Sequence, residues 1–278
     1  MTGLVLEGGT FRAIFSAGVM DAFLEKGIEF PYIVGVSAGI SNAASYVSGQ
    51  SGRNLEILEK YRNDRRYLGV SNFFECGSLF GTDFVFDQIP NVLIPFDYEK
   101  YHSYKGKFLV GVTDAKTGKS RFYDGIKDTD KWTYLRATCA IPMVFREQYI
   151  NGRPYYDGGL SSPICIRKAL KDGCDKAVII LTQPKGFVKK CGKGNIAASM
   201  LIRKKYPIMS RELLLRHKLY NKQIKFCEEL ERQGKAIIIR PDRKLSSFEK
   251  DTHVIAANYR HGYIKGLEIA EKVKNFIK

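Results

Sequence analysis

Apolar residues near the start of the chain come in short bursts separated by small or polar ones. Leu4 to Glu7 opens with three apolar residues and predicts a short buried strand, closed by Gly8-Gly9. From Ala13 to Lys26 the spacing turns helical: Ile14, Ala17, Val19, Phe23 and Leu24 supply the apolar positions, and Gly27 is placed to cap the end. Tyr32 to Val36 predicts a second strand, Gly35 to Gly39 a tight turn, and the small residues from Ile40 to Val47 a buried helix. Strand, helix, strand and helix with short connections open a parallel α/β sheet.

The middle of the chain is less regular. Leu55 to Tyr67 predicts a charged surface helix, whereas Phe73 to Phe86 is aromatic without clear periodicity. Lys107 to Thr113 and Lys119 to Tyr123 alternate as two strands about a turn at Thr117-Gly118. Gln148 to Ile150 and Pro154 to Tyr156 flank Asn151-Gly152, a hairpin signal because both turn residues tolerate positive φ. Ser162-Pro163 starts a helix running to about Lys171, and Ala177 to Thr182 predicts a further strand. After a basic helical stretch come a strand at Ala236 to Arg240 and a closing helix from Tyr259 to Ile277. The expected organisation is a core over residues 1–184 and a basic, mainly helical region over 185–278, packed on the core and adding a late strand near 236–240.

Composition narrows the class. A hydrophobic share of 44%, with 16 Tyr and 17 Phe, excludes a disordered chain. No run of about 18 uncharged apolar residues is present, so no transmembrane helix is expected. Glu7 arrives too early for a signal-peptide core, which gives a cytoplasmic expectation. Six scattered cysteines without a Cys-x-x-Cys pair predict reduced thiols, and no metal or cofactor is expected.

The net charge of +16 changes the picture more. Between residues 185 and 225 stand Lys185, Lys189, Lys190, Lys193, Arg203, Lys204, Lys205, Arg211, Arg216, Lys218, Lys222 and Lys225 against Glu212 alone. One reading is a solvated basic face. The other is peripheral contact with an anionic membrane. No RNP-like motif, zinc finger or helix-turn-helix signal points to a specific nucleic-acid partner.

The candidate chemistry starts at Gly35-Val36-Ser37-Ala38-Gly39, a Gly-x-Ser-x-Gly pentapeptide between a predicted strand and helix. There the glycines allow a sharp turn with the serine at its tip, and the helix N-terminus behind it favours developing negative charge. A nucleophilic serine also needs an oxyanion site and a base. Glu7-Gly8-Gly9-Thr10-Phe11-Arg12 joins the first strand to the first helix, so its amides face the carboxyl edge of the sheet beside Ser37. For the base, His102, His217, His253 and His261 are open to a Ser-His-Asp arrangement, but none lies in a distinctive turn. Asp157 ends a strand and precedes Gly158-Gly159, where a carboxylate can face a serine from a neighbouring strand; the bland alternative is an ordinary Asp-Gly turn.

Taken in order, Glu7 to Arg12, Gly35 to Gly39 and Asp157-Gly158-Gly159 resemble the patatin-like phospholipases over residues 3 to about 183, with Ala140-Ile141-Pro142 ahead of the Asn151-Gly152 hairpin. Arg216 to Asn221 and Glu228 to Pro241 are similar to the tail of bacterial cytoplasmic members. The resemblance implies a three-layer α/β sandwich with a mostly parallel central sheet flanked by helices and a helical C-terminal appendage. It implies a Ser37–Asp157 dyad without histidine, hydrolysing lipid acyl esters without calcium, with Gly8, Gly9, Thr10, Phe11 and Arg12 forming the oxyanion and substrate-binding loop.

Two positions depart from the family pattern Gly-Gly-Gly-x-Arg/Lys-Gly: its third glycine is Thr10 and its last is Ala13. A β-branched residue resists positive φ, so a loop that requires one at Thr10 is expected to work poorly. That leaves three functional expectations: an acyl-ester hydrolase of phospholipase A type, a catalytically weak lipid-binding regulatory protein, and a conventional Ser-His-Asp esterase. Phe11, Phe15, Phe73, Phe74, Phe80 and Phe84 are candidates to line an acyl channel or to be plain core.

Overall fold

The computed structural model describes residues 1–128 and 131–278, the side chain of Cys76 excepted; the five other cysteines are free thiols. In chain order the first elements are β1 (Thr2–Leu6), α1 (Ile14–Glu25), β2 (Tyr32–Gly35), α2 (Ser37–Val47), α3 (Arg53–Tyr61) and α4 (Val70–Cys76). A short helix α5 (Tyr98–His102) leads into β3 (Lys107–Asp114) and β4 (Ser120–Asp124). Then come α6 (Thr133–Thr138), the hairpin β5 (Gln148–Ile150) and β6 (Arg153–Asp157), α7 (Ile166–Lys171) and β7 (Lys176–Ile180). The chain closes with α8 (Lys193–Ile202), α9 (Pro207–Arg232), β8 (Ala236–Ile239) and α10 (Thr252–Ile277).

Eight strands make one sheet in the order β5-β6-β3-β2-β1-β7-β8, with β4 also paired to β3. The five strands from β3 to β8 along this path are parallel, and β4, β5 and β6 are antiparallel to their neighbours. Alternation along the parallel strands divides the core. Leu4, Leu6, Ile33, Val178 and Ile180 pack with Phe15, Val19 and Phe23 of α1. From the opposite face Val5, Val34 and Ile179 pack with Ile166 and Ala169 of α7 and Tyr220, Cys227 and Leu230 of α9. The sheet is thus the middle layer of three.

On the first face α10 lies against α1 with the backbones nearly touching. A Cβ on Gly18 would fall 2.1 Å from the Tyr259 oxygen, one on Gly262 2.0 Å from the Phe15 oxygen, and one on Gly266 2.6 Å from Ala22 Cβ. Because α1 is already pressed on the sheet, it has nowhere to retreat.

The predicted elements are present, with shifted ends. The helix expected over Leu55 to Tyr67 stops at Tyr61, and the one expected from Ser162 begins only at Ile166, after a single turn at Gly158–Leu160. The closing helix starts earlier than expected, at Thr252, where the Asp251 carboxylate accepts from the His253 N–H. The aromatic stretch carries α4 and then a wide helical segment, Phe84–Leu93, with Pro90 inside it. Proline removes one backbone donor there, which suits the wider turn better than an α-helix. The hairpin follows expectation: Asn151 and Gly152 take φ of 49° and 72°.

Substituting Gly262→Ala is expected to destabilise the protein by about 1–3 kcal/mol, since overpacking at a backbone contact outweighs the roughly 1 kcal/mol of helix propensity gained. Urea unfolding checks this: an unchanged or raised midpoint contradicts the close packing.

Candidate active site

A strand has two edges, and β3 shows how the site is assembled. Strand β4 pairs with Leu109 to Thr113 and so occupies one edge throughout. The other edge is shared. Strand β2 pairs with its first half, ending with Gly35 opposite Val110, and β6 pairs with its last residues, ending with Asp157 opposite Val112. Strands β2 and β6 therefore run toward each other along one line, and the turns that leave them meet. The meeting is tight: a Cβ on Gly158 would fall 2.1 Å from the Gly111 oxygen, and one on Gly39 2.4 Å from the Glu7 oxygen. Gly35 is equally closed in, against Leu6.

Ser37 sits at the first residue of α2 with φ of 54°, the strained turn expected of the pentapeptide. Its N–H donates to Thr138 Oγ1 at 2.8 Å, and that hydroxyl donates to the Gly111 oxygen at 2.5 Å, so the turn is pinned to β3. Asp157 is only 4% exposed and Ser37 only 5%. The Asp157 main chain is fixed on both sides, its N–H donating to the Ala140 oxygen at 2.9 Å and its oxygen accepting from Thr113 Oγ1 at 2.8 Å. Its Oδ1 accepts from the Gly159 N–H at 2.7 Å. Burial pushes the carboxyl above its ordinary range; bonds from the Ser37 hydroxyl and the Gly159 N–H, then the charges of Arg216 and Lys189, oppose this without cancelling it. A carboxylate raised in this way accepts a proton more readily near neutral pH.

The glycine-rich loop lies directly over Ser37. A Cβ on Gly8 would stand 2.8 Å from the Ser37 Cβ, so this position excludes a side chain. The N–H groups of Gly8, Gly9 and Thr10 find no acceptor among the described residues. Thr10 takes φ of 50°, contrary to the expectation from its β-branch. The strain, about 1–3 kcal/mol for such a residue, is met by an anchor: the Thr10 hydroxyl donates to the Ser247 oxygen, and the Phe11 N–H donates to the same oxygen at 3.3 Å. Arg12 braces the loop from below through Nε to Thr182 Oγ1 at 3.3 Å and Nη1 to Ser247 Oγ. The Glu7 carboxylate in turn accepts from the Thr182 N–H at 2.7 Å.

Two cavities meet at Thr10 and Ser37. One, of about 180 Å³, is apolar and lined by Phe11, Phe80, Phe86, Phe96, Trp132 and Phe145. The other, of about 550 Å³, holds Asp157 and the cations Arg12, Lys189, Lys190 and Arg216. Of the aromatic candidates, Phe11 and Phe80 line the apolar cavity, Phe15 and Phe84 are core, and Phe73 and Phe74 are exposed. No histidine lines either cavity. Among the described residues no cluster of three His, Cys, Asp or Glu side chains could hold a metal.

The basic stretch divides in two. Lys185, Lys190, Lys193, Arg203, Lys204, Lys205, Arg211, Lys218, Lys222 and Lys225 are exposed, but Lys189 and Arg216 turn inward. Desolvation and the neighbouring Arg216 pull Lys189 down to about 7. Arg216 donates from Nε to the Gly159 oxygen at 2.6 Å. Neither they nor Thr138, Thr182 and Ser247 are marked by a local motif; they reach the site only through the fold.

Comparison with known proteins places these features. The family model described as Patatin-like phospholipase matches residues 4–170, and Domain of unknown function (DUF6363) matches residues 206–278. Uncharacterized protein YjjU of Escherichia coli (strain K12) is 27% identical over 188 residues, covering 65% of this chain and 52% of that protein. The match thus spans about half the length of this curated relative. The crystal structure of VipD from Legionella pneumophila aligns with a TM-score of 0.46 at 13% identity, over 98% of this chain and 67% of that one.

Lys189→Met is expected to raise the melting temperature most below pH 7. The native ammonium has a depressed pKa, so its cost is full where both folded and unfolded states are protonated and fades as pH rises from about 7 to the unfolded value of 10.5. Melting curves across that window test the sign; a benefit that grows with pH contradicts a crowded cation.

Proposed function

Because the chain belongs to the patatin-like phospholipase family, we propose that it is a lipid acyl-ester hydrolase of phospholipase A type, with Ser37 as nucleophile and Asp157 as base. The observation that carries this reading is the end-to-end meeting of β2 and β6 on β3, which brings a cavity-lining serine and a buried carboxylate together. In the first step Asp157 takes the Ser37 proton as Oγ attacks the ester carbonyl carbon. The carbonyl oxygen becomes an oxyanion beside the amides of Gly8, Gly9 and Thr10. The C–O bond to the alcohol then breaks, Asp157 returns the proton to the leaving oxygen, and the acyl group stays on Ser37. Water, deprotonated by Asp157, attacks the acyl-enzyme and releases the fatty acid. The apolar cavity suits the acyl chain and the cationic one suits the leaving group.

No helix among the described residues is long and apolar enough to cross a membrane. Peripheral association is the reading that the surface supports. Helix α8 exposes Ile196, Met200 and Leu201 beside Lys193, Arg203, Lys204 and Lys205, a mixture that suits an anionic lipid surface.

Labelling with a fluorophosphonate probe is expected to mark wild type on Ser37 and to disappear in Ser37→Ala. Asp157→Asn should lower the labelling rate and ester hydrolysis by about 10²–10⁴-fold, the usual weight of a general base. Absence of labelling in a folded wild type, with vesicle binding retained, favours the lipid-binding alternative. Loss of activity on mutating a histidine favours a Ser-His-Asp esterase.

Two measurements on wild type extend the test. The acid limb of the rate profile should lie above the ordinary carboxylate range, since Asp157 must be ionised to act and its pKa is raised. Binding to anionic vesicles should weaken as salt is added, and salt-independent binding contradicts the electrostatic component.

A further inference from the structure

Two contacts described above come from the same part of the chain. Arg216 lies on α9, and its Nε bonds the Gly159 oxygen at 2.6 Å. Gly159 is also the residue whose N–H holds the Asp157 carboxylate at 2.7 Å. A Cβ on Gly159 would sit 3.0 Å from Asp157 Oδ1 and 3.4 Å from Arg216 Nη2, so carboxylate and guanidinium flank one residue. Ser247 lies between β8 and α10. Its oxygen accepts from the Thr10 hydroxyl and the Phe11 N–H, and its hydroxyl accepts from Arg12.

The segment carrying Ser247 is itself tied down. Arg62, at the end of α3, donates Nε to the Glu249 oxygen at 2.5 Å while its guanidinium lies 4.3 Å over the Phe11 ring. Asn63 Nδ2 donates to the Lys250 oxygen at 3.1 Å. The base-bearing turn and the oxyanion loop, which have no motif in common, are thus both held by residues 206–278. That is the stretch matched by the family of unknown function.

We propose that residues 206–278 complete the active site, with Arg216 as the positioning residue for Asp157 and Ser247 as the anchor of the glycine-rich loop. The inference rests on the hydrolase reading given above. Arg216 holds the Gly159 carbonyl and so fixes the residue whose N–H points at Asp157, and its positive charge favours the ionised form of the buried carboxyl. The other groups facing Asp157 are Lys189 from the segment before α8, Ser37 from α2, Cys139 after α6 and Cys165 before α7. Of these only Lys189 supplies a second positive charge, and it begins to lose its proton near pH 7. Arg216 is the constant term. Ser247 acts on the other reactant group, holding Thr10 at the positive φ that keeps the loop amides turned toward Ser37.

The test uses the full chain, comparing wild type with Arg216→Gln, Arg216→Lys and Thr10→Val. Labelling rate, kcat, KM and the acid limb are measured from pH 4 to 9, with melting temperature as the control for folding. Arg216→Gln is expected to lose about 10- to 100-fold in kcat with KM within about threefold, and to move the acid limb upward by roughly a pH unit, as loss of a nearby cation requires. Arg216→Lys restores the position of the limb but not the full rate, because an ammonium replaces the charge without the guanidinium's geometry. Thr10→Val, which removes the hydroxyl that donates to the Ser247 oxygen and keeps the β-branch, lowers the labelling rate about tenfold with its acid limb unmoved.

A folded Arg216→Gln with wild-type kcat and acid limb overturns the positioning role. So does a low rate with an unmoved limb, which is the mark of simple loosening. Should Arg216→Gln fail to fold, Arg216→Lys and Thr10→Val decide: wild-type labelling in both overturns the proposal. A wild type that neither labels nor hydrolyses overturns the hydrolase reading and the positioning role with it. An active wild type with indifferent variants overturns the positioning role alone.

Discussion

A carboxylate taken out of water next to a hydroxyl will hold a proton of its own unless something keeps it charged, and much of the architecture around Asp157 answers that demand. The Gly159 N–H, the Ser37 hydroxyl, Arg216 and Lys189 each favour the ionised form, and burial works against them. The balance leaves the Asp157 carboxyl above the range of an exposed aspartate. The same groups fix its position, because the residue whose N–H donates to Oδ1 is the one whose carbonyl Arg216 holds. Basicity and geometry are set by one set of contacts, so neither can be altered alone.

The two cavities give this chemistry a direction. An apolar channel and a cationic chamber meet at Ser37 and at Thr10 of the glycine-rich loop. The chamber gathers Arg12, Lys189, Lys190 and Arg216 around only Glu7 and Asp157. Like charges held this close cost stability, and local strain adds to the cost at Thr10 and Ser37, where non-glycine residues hold positive φ. Natural sequences tend to break local rules of folding where function requires it. Of the five non-glycine residues at positive φ among the described residues, Thr10, Ser37 and Met143 line the cationic cavity.

Much of the fold was legible because it rests on local signals. Three apolar residues before Gly8-Gly9, the Asn151-Gly152 turn and the pentapeptide around Ser37 each specify their own conformation. Asp157 could be singled out as the end of a strand before two glycines. What could not be read was anything decided by burial in three dimensions. Arg216 and Lys189 look like their exposed neighbours in the basic stretch, and only the packing of α9 turns them inward. Thr138 and Ser247 are ordinary polar residues in sequence. Thr10 was read from its β-branch alone, and the carbonyl that makes its conformation tolerable comes from a distant loop. Helix ends slipped for a related reason: the boundary at Ile166 follows from the turn after Asp157, not from Ser162-Pro163.

The shared edge of β3 also bears on how hydrolytic competence comes and goes. Ser37 follows β2, in the interior of the sheet, while Asp157 ends β6, whose partner β5 is a border strand. Border hairpins are the first parts of a sheet to fray, with opening free energies below that of global unfolding. Release of this hairpin carries off Asp157 and leaves Ser37 in its turn. An incompletely zipped chain therefore holds the serine without the carboxylate. On the hydrolase reading proposed above, reactivity is a property of the closed sheet.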